Sequence, residues 1–426
     1  MLSSTISTPI YGKLSDSYGR RVMFAVSIGI FLVGSILCGA AWSMDALIVF
    51  RALQGFGAGG LLVLAQASIG DVISPRERPR YQGLFAGTFG LAGAAGPLLG
   101  GVITQALSWR WIFYVNLPLG ALAFAMIWLG LKQAGGARAG AAPRIDYAGT
   151  LLLATTTSAL MLLLASGGRA FAWGSWQAFG LGLFTLLCLG LFLWRESLAP
   201  EPLIRLMLFR NRIFARGTAV GGMATFAMFG ALVFMPLYFQ LVLGMSPSES
   251  GLMILPQVGC MLFSSVLGGR IVARFGHYRP FLLGGMALEA GALGALAVLA
   301  FVGAPPWLFI VNLGLLGLGM GSFMPNLTNA VQNAVPHAQL GAATGAMVFI
   351  RSLGGAVGVA ASGAMMTARL GRLPGGVQHA AALAYRHALT GSFLMSGLVM
   401  FAGFLLVLGL PEIPLRNQVG DNAPAR

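Results

Sequence analysis

Charge is what this chain has least of. Only 9% of its 426 residues are Asp, Glu, Lys or Arg, while 57% are hydrophobic; a soluble domain carries about 25% charged residues. So little polar surface cannot face water all round. A soluble globular protein is excluded, and an all-α polytopic membrane protein is expected. Lysine is nearly missing. Lys13 is followed by Leu14 and Lys132 by Gln133, so no Gly-Lys-Ser/Thr phosphate loop exists. ATP hydrolysis is thereby set aside, and an ion gradient must drive any uphill transport. The three cysteines, Cys38, Cys188 and Cys260, fall inside apolar runs and give neither a disulfide framework nor a metal cluster. The four histidines, His277, His337, His379 and His387, fall in expected loops. No histidine relay, metal site or nucleophile–base set crosses the membrane, so an enzyme is not expected. Met1-Leu2-Ser3-Ser4 shows no basic leader and no cleavage site, so no removable signal peptide is expected.

What is present is a series of apolar runs. A span needs about 20 mostly apolar residues, and twelve candidates fit: 22–43, 47–70, 81–106, 111–131, 147–166, 174–194, 217–242, 250–269, 281–302, 306–327, 339–365 and 391–411. Residues 1–11 form a remnant of about 16 Å, half a hydrocarbon thickness, which reads as the end of a span whose upstream part is missing. The net charge of +15 does not point to nucleic acid. Its cations sit in short loops, where they set orientation. With the Gly12–Arg21 segment inside, only Arg110, Arg169, Arg369, Arg372 and Arg386 fall outside, and Arg51 and Arg351 fall within spans. The C-terminus is then cytoplasmic. Ala380–Thr390 in the outer segment reads as a helix lying on the membrane surface. Residues 132–146 read as a flexible linker, and residues 195–216, including Pro202–Arg210, as an interfacial helix. Between those linkers lie two spans with few polar residues, an insertion between two bundles. The expected division is 1–131 for the N-terminal bundle, 132–216 for the linkers and inserted spans, and 217–426 for the C-terminal bundle.

Five features carry candidate chemistry. Gly12-Lys13-Leu14-Ser15-Asp16-Ser17-Tyr18-Gly19-Arg20-Arg21 reads as a tight turn between spans. A weaker copy, Gly269–Gly276, keeps the glycine spacing with Ala273 in place of Asp16. In a gate, Asp16 accepts hydrogen bonds from a neighbouring helix N-terminus or pairs with Arg20 or Arg21; the alternative is an ordinary inside-positive turn. Arg51, Gln54, Gly55 and Gly59 share a helical face, where Arg51 either faces a cavity or snorkels outward. Gly83, Gly87, Gly90, Gly93, Gly96, Gly100 and Gly101, with Pro97, form a small-residue ladder suited to close helix packing or a bend. Arg351 lies mid-span and needs a buried partner. Glu289, the one acid well inside a span, is a candidate for that pairing and for carrying a proton; equally, it could reach the inner headgroups. Tyr238, Gln240, Gln257, Asn326 and Asn329 either line a substrate path or hydrogen-bond between helices. The 20 methionines suit an adaptable apolar cavity.

At these residues the chain resembles the major facilitator superfamily, and within it the fourteen-span drug:proton antiporter branch. Gly12–Arg21 is similar to that superfamily's loop signature, Arg51–Gly59 to its fourth-span signature and Gly93–Gly101 to the fifth-span antiporter signature. Trp109–Pro118, Pro236–Gln240 and Arg351–Gly355 are further likenesses. The resemblance implies two pseudo-symmetric six-helix bundles around a central cavity, with two inserted spans, and efflux of amphiphilic drugs in exchange for protons across the cell (inner) membrane. It implies a gating loop at Gly12, Asp16, Gly19, Arg20 and Arg21. Proton coupling falls to Arg51, to which Glu289 and Arg351 are added from their place within spans. An antiporter bend is implied at Gly93, Gly96, Pro97, Gly100 and Gly101. Gln54, Tyr238, Gln240, Gln257 and Asn326 are the expected substrate path. Its partners would be the lipid bilayer, an amphiphilic substrate, protons and a periplasmic adaptor protein, with no cofactor. The family's first span and its membrane acid are missing by this reading. A dedicated metabolite or siderophore exporter, or a truncated non-transporting membrane protein, stays open as an alternative.

Overall fold

The computed structural model describes residues 2–131, 146–168, 170–370 and 378–415. Most of the linker expected at 132–146 lies outside them. The first bundle contains α1 (Leu2–Tyr18), α2 (Arg20–Gly39), α3 (Met44–Val72) and α4 (Arg78–Ala106), then a short α5 (Trp111–Tyr114) leading into α6 (Asn116–Gly130). Two inserted helices follow, α7 (Tyr147–Ser166) and α8 (Trp176–Leu198). The second bundle contains α9 (Arg212–Leu232), α10 (Met235–Leu241), α11 (Pro247–Leu252), α12 (Leu255–Phe275), α13 (Arg279–Val302), α14 (Pro306–Asn333), α15 (Leu340–Leu370) and α16 (Gln378–Leu408). Among the described residues, eleven segments are long and apolar enough to cross a membrane. The spans expected at 217–242 and 250–269 are each broken in two. Pro236 and Pro256 stand in the first turns of α10 and α12, where a missing N–H costs no helical bond.

Three local expectations are corrected. The Gly12–Arg21 segment is not a turn along its length. It is helical to Tyr18, and the chain reverses at Gly19 alone, with φ 86°, a backbone that disfavours a Cβ. The stretch 195–216 is not an interfacial helix. After Leu198 it runs irregularly to a short 3₁₀ turn at Leu206–Arg210. The buried Glu196 carboxylate accepts the Leu203 and Ile204 N–H groups at 3.2 and 3.0 Å, and Leu203, Ile204 and Leu208 bury beside Phe214 and Met347. Burying those three side chains outweighs laying them on lipid. Ala380–Thr390 is not a separate surface helix but part of α16, which also carries His379 and His387.

Small residues set how closely the helices approach. Lipid gives no hydrophobic drive for helix pairing, so packing and interhelical hydrogen bonds must hold the bundle. The Ser27 hydroxyl on α2 donates to the Gly57 carbonyl of α3 at 2.7 Å. Gly354 and Gly358 of α15 rest on the backbone of α9 at Gly222 and Phe226. Gly317 and Gly321 of α14 rest on α12 at Gln257 and Met261. Tyr238 and Phe239 of α10 cluster with Phe309 and Phe393 in the largest apolar core.

The inserted pair is tied at one end. Asp146 caps α7 by accepting the Gly149 N–H at 3.0 Å, and Arg195 of α8 forks onto the same carboxylate at 3.1 and 3.2 Å. Partial burial opposes the charged form, but the Gly149 N–H and the Arg195 guanidinium outweigh it and hold Asp146 below the usual carboxylate range. A carboxyl depressed on folding stabilises the protein above its unfolded pKa of about 3.9, and that contribution is lost as pH falls through the folded value. Asp146→Asn keeps an N-cap and loses the ion pair, so it is expected to cost about 1 kcal/mol at neutral pH. In melting curves of detergent-solubilised protein, wild type and variant should differ at pH 7 and converge as pH falls below the folded value of Asp146. Equal melting at pH 7 would show that the pair contributes nothing.

Candidate functional site

The two bundles meet most closely at the end where α1 turns into α2. Gly12 of α1 lies so near α15 that a Cβ there would stand 2.6 Å from the Gly341 carbonyl oxygen. This contact lets α1 deliver Asp16 to the N-terminus of α15. The Asp16 carboxylate accepts the Gly341 and Ala342 N–H groups, each at 2.9 Å, satisfying two donors that a helix start leaves free. Arg20 donates to Asp16 at 2.8 Å, to Asp71 of α3 at 2.6 Å, and to the Ser15 hydroxyl. His337, just before α15, stands 3.8 Å from Asp71. Arg21 takes no part; its guanidinium lies 4.0 Å over the Trp128 ring.

A second set of contacts crosses beside it. Arg76 donates to the Ala273 and Arg274 carbonyls, both at 3.0 Å, capping the free acceptors at the end of α12. Here the downstream copy of the Gly12–Arg21 segment has Ala273 in place of an acid, and the polarity is reversed: a cation meets a helix C-terminus. Asn329 donates to the Pro75 carbonyl at 2.9 Å, and Gln332 donates to Gln66 at 3.2 Å and to Thr344 at 3.1 Å.

Packing along α4 thins toward the opposite end. The glycine ladder on α4 divides in two: Cβ atoms on Gly83, Gly87 and Gly90 would meet α12 at Ser265, Leu262 and Met261, whereas Gly93, Gly96, Gly100 and Gly101 have nothing within 4 Å. The helix runs unbroken past Pro97. Farther along the seam from the Asp16 contact lies a cavity of about 450 Å³, lined by Ser4 and Thr8 of α1, Gly59 and Leu62 of α3, Phe85 of α4 and Ser352 of α15, among others.

The expected substrate-path residues do not line this cavity. Gln54 is buried against α2, donating to the Ser35 hydroxyl at 2.6 Å while accepting from Arg51 at 2.6 Å. Tyr238 is enclosed by aromatic rings. Gln240 donates to Ser250 at 3.0 Å, Gln257 to the Met320 sulfur at 3.4 Å, and Asn326 to the Ser322 carbonyl at 2.6 Å. In this conformation four of them tie helix to helix, and Asn326 bonds back within α14. The pairing of Glu289 with Arg351 is also corrected. Glu289 is buried on α13 against Gly319 of α14, with Oε2 unpartnered. Arg351 turns instead to α9 and α14, donating to the Thr328 hydroxyl at 3.0 Å beside Gly221. The two lie in different helix seams, since α15 packs on α9 while α13 packs on α14 and α16. The sequence reading missed Asp71, Arg76, Gln332 and His337. Asp71 and Arg76 carried a signal, being charges flanking the α3–α4 loop, while Gln332 and His337 had none.

With this geometry in view, comparison with known proteins gives consistent results. The family model described as Major Facilitator Superfamily matches residues 1–359 and 219–424. The multidrug transporter protein MdtP of Bacillus subtilis (strain 168) is 38% identical over 375 residues, 88% of this chain and 68% of that one. An uncharacterized MFS-type transporter of Mycobacterium tuberculosis (strain ATCC 25618 / H37Rv) is 36% identical across 99% of this chain, which spans 64% of its length. Among solved structures, the proton:xylose symporter XylE superposes with a TM-score of 0.65 over 96% of this chain and 84% of that one, at 16% identity, a likeness of fold.

Proposed function

This chain belongs to the Major Facilitator Superfamily, and on that footing we propose that it is a secondary active transporter exporting amphiphilic small molecules in exchange for protons. The observation that carries the proposal is the asymmetry of the seam between bundles. One end is held by Asp16 on the start of α15, and the other leaves half of the α4 glycine ladder unpacked. Packed helices with discrete contacts are bistable rather than continuously deformable. Breaking the Asp16 contacts and closing the opposite end of the seam would present the cavity to the other side.

Asp16, with Gly12, Gly19 and Arg20, is proposed as the latch. The Asp16 end is proposed to face the cytoplasm, with the C-terminus on the same side, because the loops there hold most of the cations. The bundles are proposed as 1–131 and 217–426, with 132–216 between them. The adjacent α7 and α8 support a place in the fourteen-span branch. Arg51 and Arg351, and Glu289 in its separate seam, are proposed to couple proton movement, because ionisable groups inside spans mark ion pathways. The multidrug role printed for MdtP supports a lipophilic cargo. In proteoliposomes loaded with amphiphilic dyes of both charges, dye movement is expected to stop when a protonophore collapses the gradient. Movement that continues without the gradient overturns proton coupling.

A further inference from the structure

The seam between the bundles has two flanks, and they are covered differently. Where α1 meets α15, the inserted α7 packs on both. Where α4 meets α12, each helix instead turns an exposed stripe outward: Arg80, Leu84 and Leu91 on α4, and Phe263, Leu267, Arg270 and Arg274 on α12. Spacings of three, four and seven residues keep each set on one helical face. The two stripes lie on the same side of the seam. Cβ atoms on Gly83, Gly87 and Gly90 would meet Ser265, Leu262 and Met261, and one on Gly269 would meet Pro79, so the helices pair in antiparallel order. Arg80, Leu84 and Leu91 each follow a contact position on α4 by one residue, as Phe263 and Arg270 do on α12. One residue is about 100° of rotation, which on two antiparallel helices carries both sets to the same side.

The arginines gather at the end where Asp16 meets α15. A Cβ on Gly269 would stand 2.9 Å from the Arg80 Cα, so Arg80 of the first bundle and Arg270 of the second start from adjoining backbone. Among the described residues neither side chain makes a hydrogen bond or an ion pair, and Arg274 only stands 5.6 Å from the ring of its neighbour Phe275. The acids nearby do not neutralise them. Glu77 is exposed in the α3–α4 loop, and Glu412 is turned to the start of α13, accepting the Tyr278 and Arg279 N–H groups at 3.0 and 3.3 Å. Three cations without a counter-charge repel one another and draw an anion. Beyond them both stripes turn apolar, with Leu84, Leu91 and Phe263 53%, 57% and 63% exposed. Arg80 to Leu91, and Arg274 to Phe263, each cover about 16 Å along the axis, close to the hydrocarbon depth of one leaflet. A soluble anion uses only the arginines; a lipid with an anionic headgroup uses the whole stripe.

We propose that an anionic phospholipid docks on this flank, its phosphate between Arg80 of the first bundle and Arg270 and Arg274 of the second, its acyl chains along Leu84, Leu91, Phe263 and Leu267. A headgroup held by both bundles favours the conformation described here, because the bridge is lost when they part. The test is native mass spectrometry of the purified chain in detergent, titrated with phosphatidylglycerol and phosphatidylcholine of identical chains. Phosphatidylglycerol is expected to be retained at least about tenfold more tightly. Equal retention by wild type overturns the proposal, and needs no variant to fold. Combining Arg80→Gln, Arg270→Gln and Arg274→Gln is expected to remove the preference. Combining Arg205→Gln, Arg210→Gln and Arg212→Gln, which takes the same charge from exposed positions elsewhere, is expected to keep it. A preference that survives the first set, or falls equally with the second, overturns the site. Glycerol 3-phosphate is expected not to displace the lipid; displacement assigns the arginines to a soluble anion instead. Spin labels at Ser17 and Gln339 in Asp16→Ala read the bridge: the short distance should be more populated in phosphatidylglycerol nanodiscs than in phosphatidylcholine ones, and equal populations overturn the bridging role. No part of the test reads transport, so it stands whatever the cargo or its coupling.

Discussion

Asp16→Ala is expected to shift the transporter away from the conformation described here by roughly a hundredfold. The Asp16 carboxylate is mostly enclosed, pairs with Arg20, and accepts two N–H groups at the start of α15. Its removal leaves those donors unsatisfied and takes one of two carboxylates from Arg20, which keeps only Asp71. Breaking a largely buried charge contact costs about 3 kcal/mol, which is roughly a factor of one hundred in an equilibrium constant. Spin labels at Ser17 and Gln339, on either side of the contact, should give one short distance in wild type and a dominant longer one in the variant. Dye transport should fall with it, because a cycle with one conformation depopulated turns over slowly. An unchanged distance distribution would show that Asp16 does not hold this end shut. Asp16→Asn should fall between, since its amide oxygen still accepts one N–H but carries no charge.

Gly317→Ala should be far more damaging to folding than Gly96→Ala, although both add one methyl to a membrane helix. A Cβ on Gly317 would overlap the Gln257 carbonyl oxygen of α12, which is backbone and cannot rotate aside. The α12–α14 seam would have to open, at a cost of about 3 kcal/mol or more. Loss of monodisperse protein after detergent extraction is the expected readout. A Cβ on Gly96 meets nothing within 4 Å, and alanine is a better helix former than glycine by about 1 kcal/mol. Gly96→Ala should therefore melt no lower than wild type. Its transport should nevertheless fall, because Gly96 continues the helical face of the lining residues Phe85, Thr88 and Ala92, which the proposed cycle closes. Normal transport by Gly96→Ala would remove the outer glycines from the cycle, and normal extraction of Gly317→Ala would contradict the seam itself.

The sequence by itself determined the solvent and the class of fold. Nine per cent charge and repeated apolar runs leave only membrane-spanning helices, because backbone groups in lipid must bond within their own segment. It also marked Gly12, Asp16, Gly19 and Arg20 as a unit, because they form a charged, glycine-bounded segment between two apolar runs. Tertiary structure alone decided which groups meet. The donors that Asp16 caps lie 325 and 326 positions later, and periodicity along a chain carries no information over that distance. The same holds for Glu289 and Arg351, which looked like natural partners by charge and depth but were placed in separate seams by helix order. The glycine ladder was legible as one stripe, yet Gly83, Gly87 and Gly90 face α12 while Gly93, Gly96 and Gly100 lie on other faces of α4, a difference that only the neighbouring helices reveal. Local chemistry fixes what each helix can do in lipid; the relative tilt of the two bundles fixes which of those possibilities is realised.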